Sequence, residues 1–205
     1  MSSQKKRKAN TAVTLSADVD VNAALQCGDA FFKLAQPFIS SVPSGFDDAQ
    51  QHASENLGDM SAAAVNLALA IEIYLKALIA GSGKSYPNEH TLAVLYDELP
   101  SELKERVQVA YEKATVHQGA DDLETAALLV EVVRQGSNRP PVLQKPFPRG
   151  FKALLQRNAR NFVAWRYLFS SETKVNQPLS FEFRNMVIGA RILRSLFPEV
   201  VPIRV

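Results

Sequence analysis

AAVNLALAIEIYLKALIAGSGKSYPNEHTLAVLYDELP, residues 63–100, decides how this chain folds. Extended back to Leu57, its apolar residues Leu57, Met60, Ala64, Leu67, Ala68, Ile71, Leu75, Leu78 and Ile79 recur at spacings of three and four. That is the helical period, and it predicts one long helix from about Asp47 to Ala80. Gly-Ser-Gly at 81–83 ends it, because glycine takes up the left-handed cap conformation without steric cost. After the loop KSYPNEH, Thr91 is placed to cap a short helix over TLAVLYDEL. The stretch therefore reads as two helices joined by a turn, with Glu72 and Lys76 one helical turn apart beside the apolar stripe. Such a pair by itself stabilises a helix by about 0.3–0.5 kcal/mol.

The flanking sequence repeats the pattern. Val21, Leu25, Phe31, Phe32, Leu34 and Phe38 predict a helix over Val19–Ile39, stopped by SSVPSG. Leu103, Val107 and Tyr111 mark another from Ser101 to about His117, and LETAALLVEVVRQ (123–135) predicts a further one. Four prolines in 136–150 exclude regular structure there. Phe151, Leu154, Leu155, Asn158, Phe162, Trp165 and Phe169 define a helix face over Phe151–Phe169, and a last helix runs from Phe181 to about Phe197, before Pro198. No alternating pattern is long enough to build a sheet. The expected fold is all-α, an antiparallel bundle of six to seven helices in one domain over 16–205, behind a basic tail at 1–15.

The composition is globular: 46% hydrophobic and 21% charged among 205 residues, with nine Gly and eleven Pro. One cysteine, Cys27, excludes an internal disulfide framework and fits a reducing compartment. Glu72 and Lys76 interrupt the longest apolar stretch, and no apolar segment follows the basic start as in a secretory signal, so a soluble cytoplasmic protein without a membrane span is expected. A net charge of +2 hides strong segregation. Residues 1–10 hold four basic groups and no acid, residues 11–133 six basic and 18 acidic, and residues 134–205 thirteen basic and three acidic. Two readings stand: contact with a polyanion or an acidic partner, or neutralisation of one part by the other inside the fold.

Several chemistries have no support in the sequence. No GxxxxGK[ST] or GxGxxG loop cradles a phosphate, and no GxSxG elbow presents a nucleophilic serine. His52, His90 and His117 never pair at i, i+4, and with one cysteine no zinc signature forms, so neither a metal nor a cofactor is expected. Asp47–Asp48 and Asp121–Asp122 read as helix-start carboxylates that complement the helix dipole.

The same stretch resembles the opening hairpin of the HEPN superfamily (higher eukaryotes and prokaryotes nucleotide-binding domain). The pattern Glu-x-x-x-Lys-Ala-Leu, a turn, a His and a Leu-rich helix falls on Glu72, Lys76, Ala77, Leu78, His90, Leu92 and Leu95. NARNFVAWRYLFS (158–170) looks like the late helix of one HEPN-like branch, through Trp165, Arg166 and Tyr167. Ribonuclease members of the superfamily carry an Arg followed four to six residues later by a His on a late helix. Here His117 is the last histidine, and ten residues separate it from Arg106. The resemblance thus implies a helical bundle lacking that ribonuclease centre, a homodimer, and a bacterial defence (phage defence) or toxin–antitoxin setting.

Arg166 stands beside Trp165 and Phe169, and a partly buried guanidinium requires a carboxylate. The resemblance points to Glu72 as that partner, with ligand contact the other reading. His90 reads as a loop or capping group or as a base, and Trp165 as core or as a stacking platform. Arg157 and Arg160 lie near one another on one helix, and Arg184, Arg191 and Arg194 recur at spacings of seven and three on the last. These five arginines are the candidate nucleic-acid-binding patch. Glu72, Lys76, His90 and Arg166 are the family-motif polar residues, and no catalytic residue is assigned. Three functions follow: a non-catalytic nucleic-acid-associated or regulatory module, a divergent metal-independent ribonuclease, or an interaction subunit for an acidic protein. RNA, a nucleotide or an acidic protein is the expected partner beside a second copy of the chain.

Overall fold

The long helix predicted over 47–80 is broken at Asn56. The computed structural model describes residues 20–43, 46–116, 128–130, 149–159 and 179–197. It shows α2 over Phe46–Glu55 and α3 over Leu57–Gly81, with Asn56 at φ −118° and ψ 39° between them. The remaining described elements are α1 (Val21–Ser41), α4 (Leu92–Glu98), α5 (Ser101–Thr115), β1 (Leu128–Val130), α6 (Phe151–Ala159), β2 (Leu179–Phe181) and α7 (Phe183–Ser195). The fold is all-α, with one three-residue strand pair attached.

Apolar residues almost encircle α3. Its buried set includes Met60, Leu67, Ile71, Tyr74, Leu75, Leu78 and Ile79, so other helices must cover it on several sides. Its most extensive packing is against α1, and α4 and α7 also pack against it. By length and composition α3 is apolar enough to cross a bilayer, but 67% of its apolar window is buried within the protein. That surface is spent on the core. A second focus is Phe151, fully buried at the start of α6, with the rings of Tyr96 and Tyr111 edge-on at 5.4 and 5.5 Å. The Phe151, Leu154, Leu155 and Asn158 face of α6 is buried as expected; the continuation of that helix to Phe169 lies outside the described residues.

Two expectations are corrected. Residues 128–130, placed in a helix by their apolar run, pair antiparallel with 179–181, with Leu128 opposite Phe181 and Val130 opposite Leu179. A short apolar run suits either state, and pairing with a distant strand decides it. The last helix consequently starts at Phe183 instead of Phe181. Leu34, one of the apolar residues that predict the first helix, is 63% exposed, while Ala35 and Phe38 face the core. The tail 1–15 and most of 123–135 lie outside the described residues.

Close approach of α1 to α3 requires Gly28. A Cβ there would lie 2.5 Å from Tyr74 Cε1, against an aromatic ring buried in the core. Gly28→Ala is expected to destabilise the protein by roughly 1–3 kcal/mol through overpacking, despite alanine's better helix propensity. Chemical denaturation checks this, and a stability gain would show that α1 does not sit this close.

Candidate functional site

Glu72 is the buried acid on which the hairpin closes. It lies on α3, is 6% exposed, and its Oε1 accepts hydrogen bonds from Lys76 Nζ at 2.7 Å and His90 Nδ1 at 2.9 Å. Lys76 is the i+4 residue expected from the helical spacing, and its ammonium also lies 5.7 Å from the centre of the Tyr86 ring. His90 arrives from the loop before α4. Glu89 holds that loop: its Oε1 accepts from the backbone N–H groups of His90 and Thr91, both at 2.8 Å. Hydrogen bonds from Thr91, then from the His90 backbone, keep the Glu89 carboxyl below the usual range. Thr91 sits at the cap position of α4 but makes no side-chain cap bond; Glu89 instead satisfies the N–H groups of His90 and Thr91, just ahead of the helix.

With Nδ1–H given to Glu72, the other ring nitrogen of His90 faces outward on a side chain 66% exposed. Lys76 and Glu72 are mostly covered, at 18% and 7%. The cluster is thus a closed ion pair with one exposed imidazole at its edge. Arg166, the partner implied for Glu72 by the resemblance, lies outside the described residues, as do Trp165 and Tyr167.

The five arginines divide. Arg157 Nε and Nη2 meet the two carboxylate oxygens of Glu182 at 2.7 and 3.0 Å, and Glu182 is 4% exposed. Asn158 and Asn185 donate to the same carboxylate at 3.3 and 3.2 Å, and Asn158 Oδ1 accepts from the Glu182 N–H. This network fixes α6 against the start of α7. Arg194 makes a bidentate bond to Asp29 on α1, at 2.7 and 3.0 Å, and Tyr74 donates to Asp29 at 2.7 Å. Burial pulls the Asp29 carboxyl upward, and hydrogen bonds from Arg194 and Tyr74 outweigh it, leaving the pKa lowered. Burial and then the bond to Asp29 push the Tyr74 phenol well up. Arg184 and Arg191 are exposed and have no hydrogen-bond or ion-pair partner among the described residues. Arg160 lies outside the described residues.

The sequence reading missed Glu182 and Asp29 as arginine partners, since their separations of 25 and 165 residues leave no local spacing to read. It assigned no partner to His52. In the structure its Nε2 is 2.9 Å from Ser41 Oγ and its Nδ1 is 3.4 Å from Asn56 Nδ2, the latter an i, i+4 spacing that the sequence carries.

Lys76→Met leaves a buried carboxylate short of its cation and is expected to cost about 3 kcal/mol. His90→Ala removes a mostly exposed partner and is expected to cost under about 1 kcal/mol. Urea unfolding of both variants tests the ranking; a costlier His90→Ala would make the histidine the main support of Glu72.

Residues 46–133, which include α2 to α5 and β1, match the family model of the HEPN domain. No curated protein and no solved structure matches the chain. The matched segment contains the Glu72–Lys76–His90 hairpin, and over these residues the chain is similar to the HEPN domain.

Proposed function

We propose that this chain is a non-catalytic HEPN-like module that associates with nucleic acid through the outer face of α7. It works as a cytoplasmic homodimer in the bacterial defence or toxin–antitoxin setting that the family resemblance implies. The observation that carries the reading is the pair Arg184 and Arg191, seven residues apart on one helix face, exposed and unpartnered among the described residues. A helix surface with such guanidinium groups attracts phosphate, whereas Arg157 and Arg194 already spend their forks on Glu182 and Asp29. Arg160 stays in the proposed footprint from its sequence position. The sequence adds a second support: it has no Arg followed four to six residues later by His.

One observation favours the divergent-ribonuclease reading. Glu72 holds the His90 ring by Nδ1 and leaves the other nitrogen open, the way a general base is oriented. Incubation of RNA with the protein, with and without chelator, is expected to give no cleavage. Metal-independent cleavage abolished by His90→Ala would replace the first reading with this one.

RNA binding is expected to weaken with salt, and each of Arg184→Gln and Arg191→Gln should reduce the slope of log affinity against log salt by ~0.7. Arg157→Gln should instead lower stability, because it strands the buried Glu182. Fluorescence anisotropy across a salt series, with unfolding midpoints, separates the two effects. Binding insensitive to salt, or none to RNA or DNA, would assign the face to an acidic protein. Sedimentation equilibrium at micromolar concentration is expected to show a dimer, and a clean monomer would count against that assembly.

A further inference from the structure

A cleft of about 450 Å3 opens between α1, α2 and α3, away from the Glu72 hairpin and lined by Leu34, Pro37, Phe38, Ser41, His52, Asn56, Asp59, Ala62 and Ala63. Its size is that of a small-molecule site. A serine, a histidine and an asparagine in one wall suggest a hydrolytic relay, and the hydrogen-bond directions exclude it. Asn56 Nδ2 is fixed as the nitrogen by its 2.9 Å bond to the His52 carbonyl, so it also faces His52 Nδ1 as a donor. The neutral ring then carries its proton on Nε2 and gives it to Ser41 Oγ, which gives its own proton to the Phe38 carbonyl at 2.7 Å. His52 donates to the serine and does not take its proton. The wall is a binding surface, not a nucleophile.

The same directions settle what the wall offers. Every donor in the chain Asn56, His52, Ser41 is used inward, leaving the second lone pair of Ser41 and the Asn56 carbonyl as acceptors. Asp59 adds a carboxylate with no hydrogen-bond or ion-pair partner among the described residues. Its position in the first turn of α3 complements the positive helix end, and that end tempers its charge without consuming its lone pairs. Residues 46–60 carry Asp47, Asp48, Glu55 and Asp59 and no Lys or Arg, so the local field is negative. The remaining lining is apolar: Phe38, stacked on the His52 ring at 5.5 Å, with Pro37, Ala62, Ala63 and the exposed side chain of Leu34. An anion meets a carboxylate here, and an uncharged apolar body leaves that carboxylate unused.

We propose that this cleft binds a small amphiphilic cation, a primary ammonium on an apolar body, with the ammonium on Asp59 and Asn56 and the body against Leu34, Pro37 and Phe38. The proposal does not depend on the arginine face of α7. Calorimetric titration of the full chain with tryptamine, and with tryptophol as the alcohol of the same shape, tests it. Tryptamine is expected to bind saturably and roughly five- to tenfold more tightly than tryptophol, and Asp59→Asn should remove that preference. Ala62→Trp, a change at an exposed lining position, should fill the cleft and abolish binding while circular dichroism stays unchanged. If Ala62→Trp perturbs the fold, the Asp59→Asn comparison decides alone. No saturable tryptamine binding, equal binding of the alcohol, or a preference that survives Asp59→Asn overturns the proposal.

Discussion

Burial of α3 nearly all the way round is the constraint on which the structure depends. A helix with one apolar stripe needs one neighbour. With Leu67, Ile71, Tyr74, Leu75, Leu78 and Ile79 all at 1% exposure or less, α3 needs a cage. That requirement places α1 along it, demands a glycine where the Tyr74 ring meets α1, and draws α4 and α7 onto its other sides. It also makes Glu72 expensive. A carboxylate on such a helix is tolerated only with its charge matched, so Lys76 and His90 are consequences of the burial as much as features of a motif.

The segregated charge has a partly internal explanation. Asp29 and Asp97 lie in the acidic stretch 11–133, and their partners Arg194 and Lys152 lie in the basic remainder. These contacts connect α1 to α7 and the end of α4 to α6. Two of the described ion pairs therefore neutralise one part of the chain with the other. They do not exhaust the excess: Glu182 and Arg157 pair within the basic part, and Arg184 and Arg191 remain outward on α7. The surface that stays basic is narrower than the composition suggests: among the described residues of the basic part it comprises Arg184 and Arg191 on α7 and Arg149 ahead of α6.

Helices were legible because their apolar residues repeat locally. The periodicity located α1, α3, α5 and α7 closely, and it passed over the break at Asn56 because the apolar spacing continues through it. It failed at Leu128–Val130, where three apolar residues have no period and a partner some fifty residues away decides. Leu34 stays outside the core because a phenylalanine- and leucine-rich helix offers more apolar positions than the α1–α3 contact covers. For the site, Glu72–Lys76 was visible as an i, i+4 pair and His90 as part of a family pattern. The capture of Arg157 and Arg194 by acids distant in sequence was not, since a guanidinium's partner is set by tertiary packing.

The retained motif and the missing one differ in what they do. Glu72, Lys76 and His90 close a hairpin: two of them are largely covered, and the loop carrying the third is pinned by Glu89. Each of these contacts serves the fold whether or not the protein performs any chemistry. The sequence has no Arg followed four to six residues later by His, and the hairpin closes without one. A hairpin can therefore be kept for the fold's sake, and function is argued from the site and not from the fold. The outer face of α7 and the cleft beside Asp59, where the proposals above lie, share no residue with the hairpin.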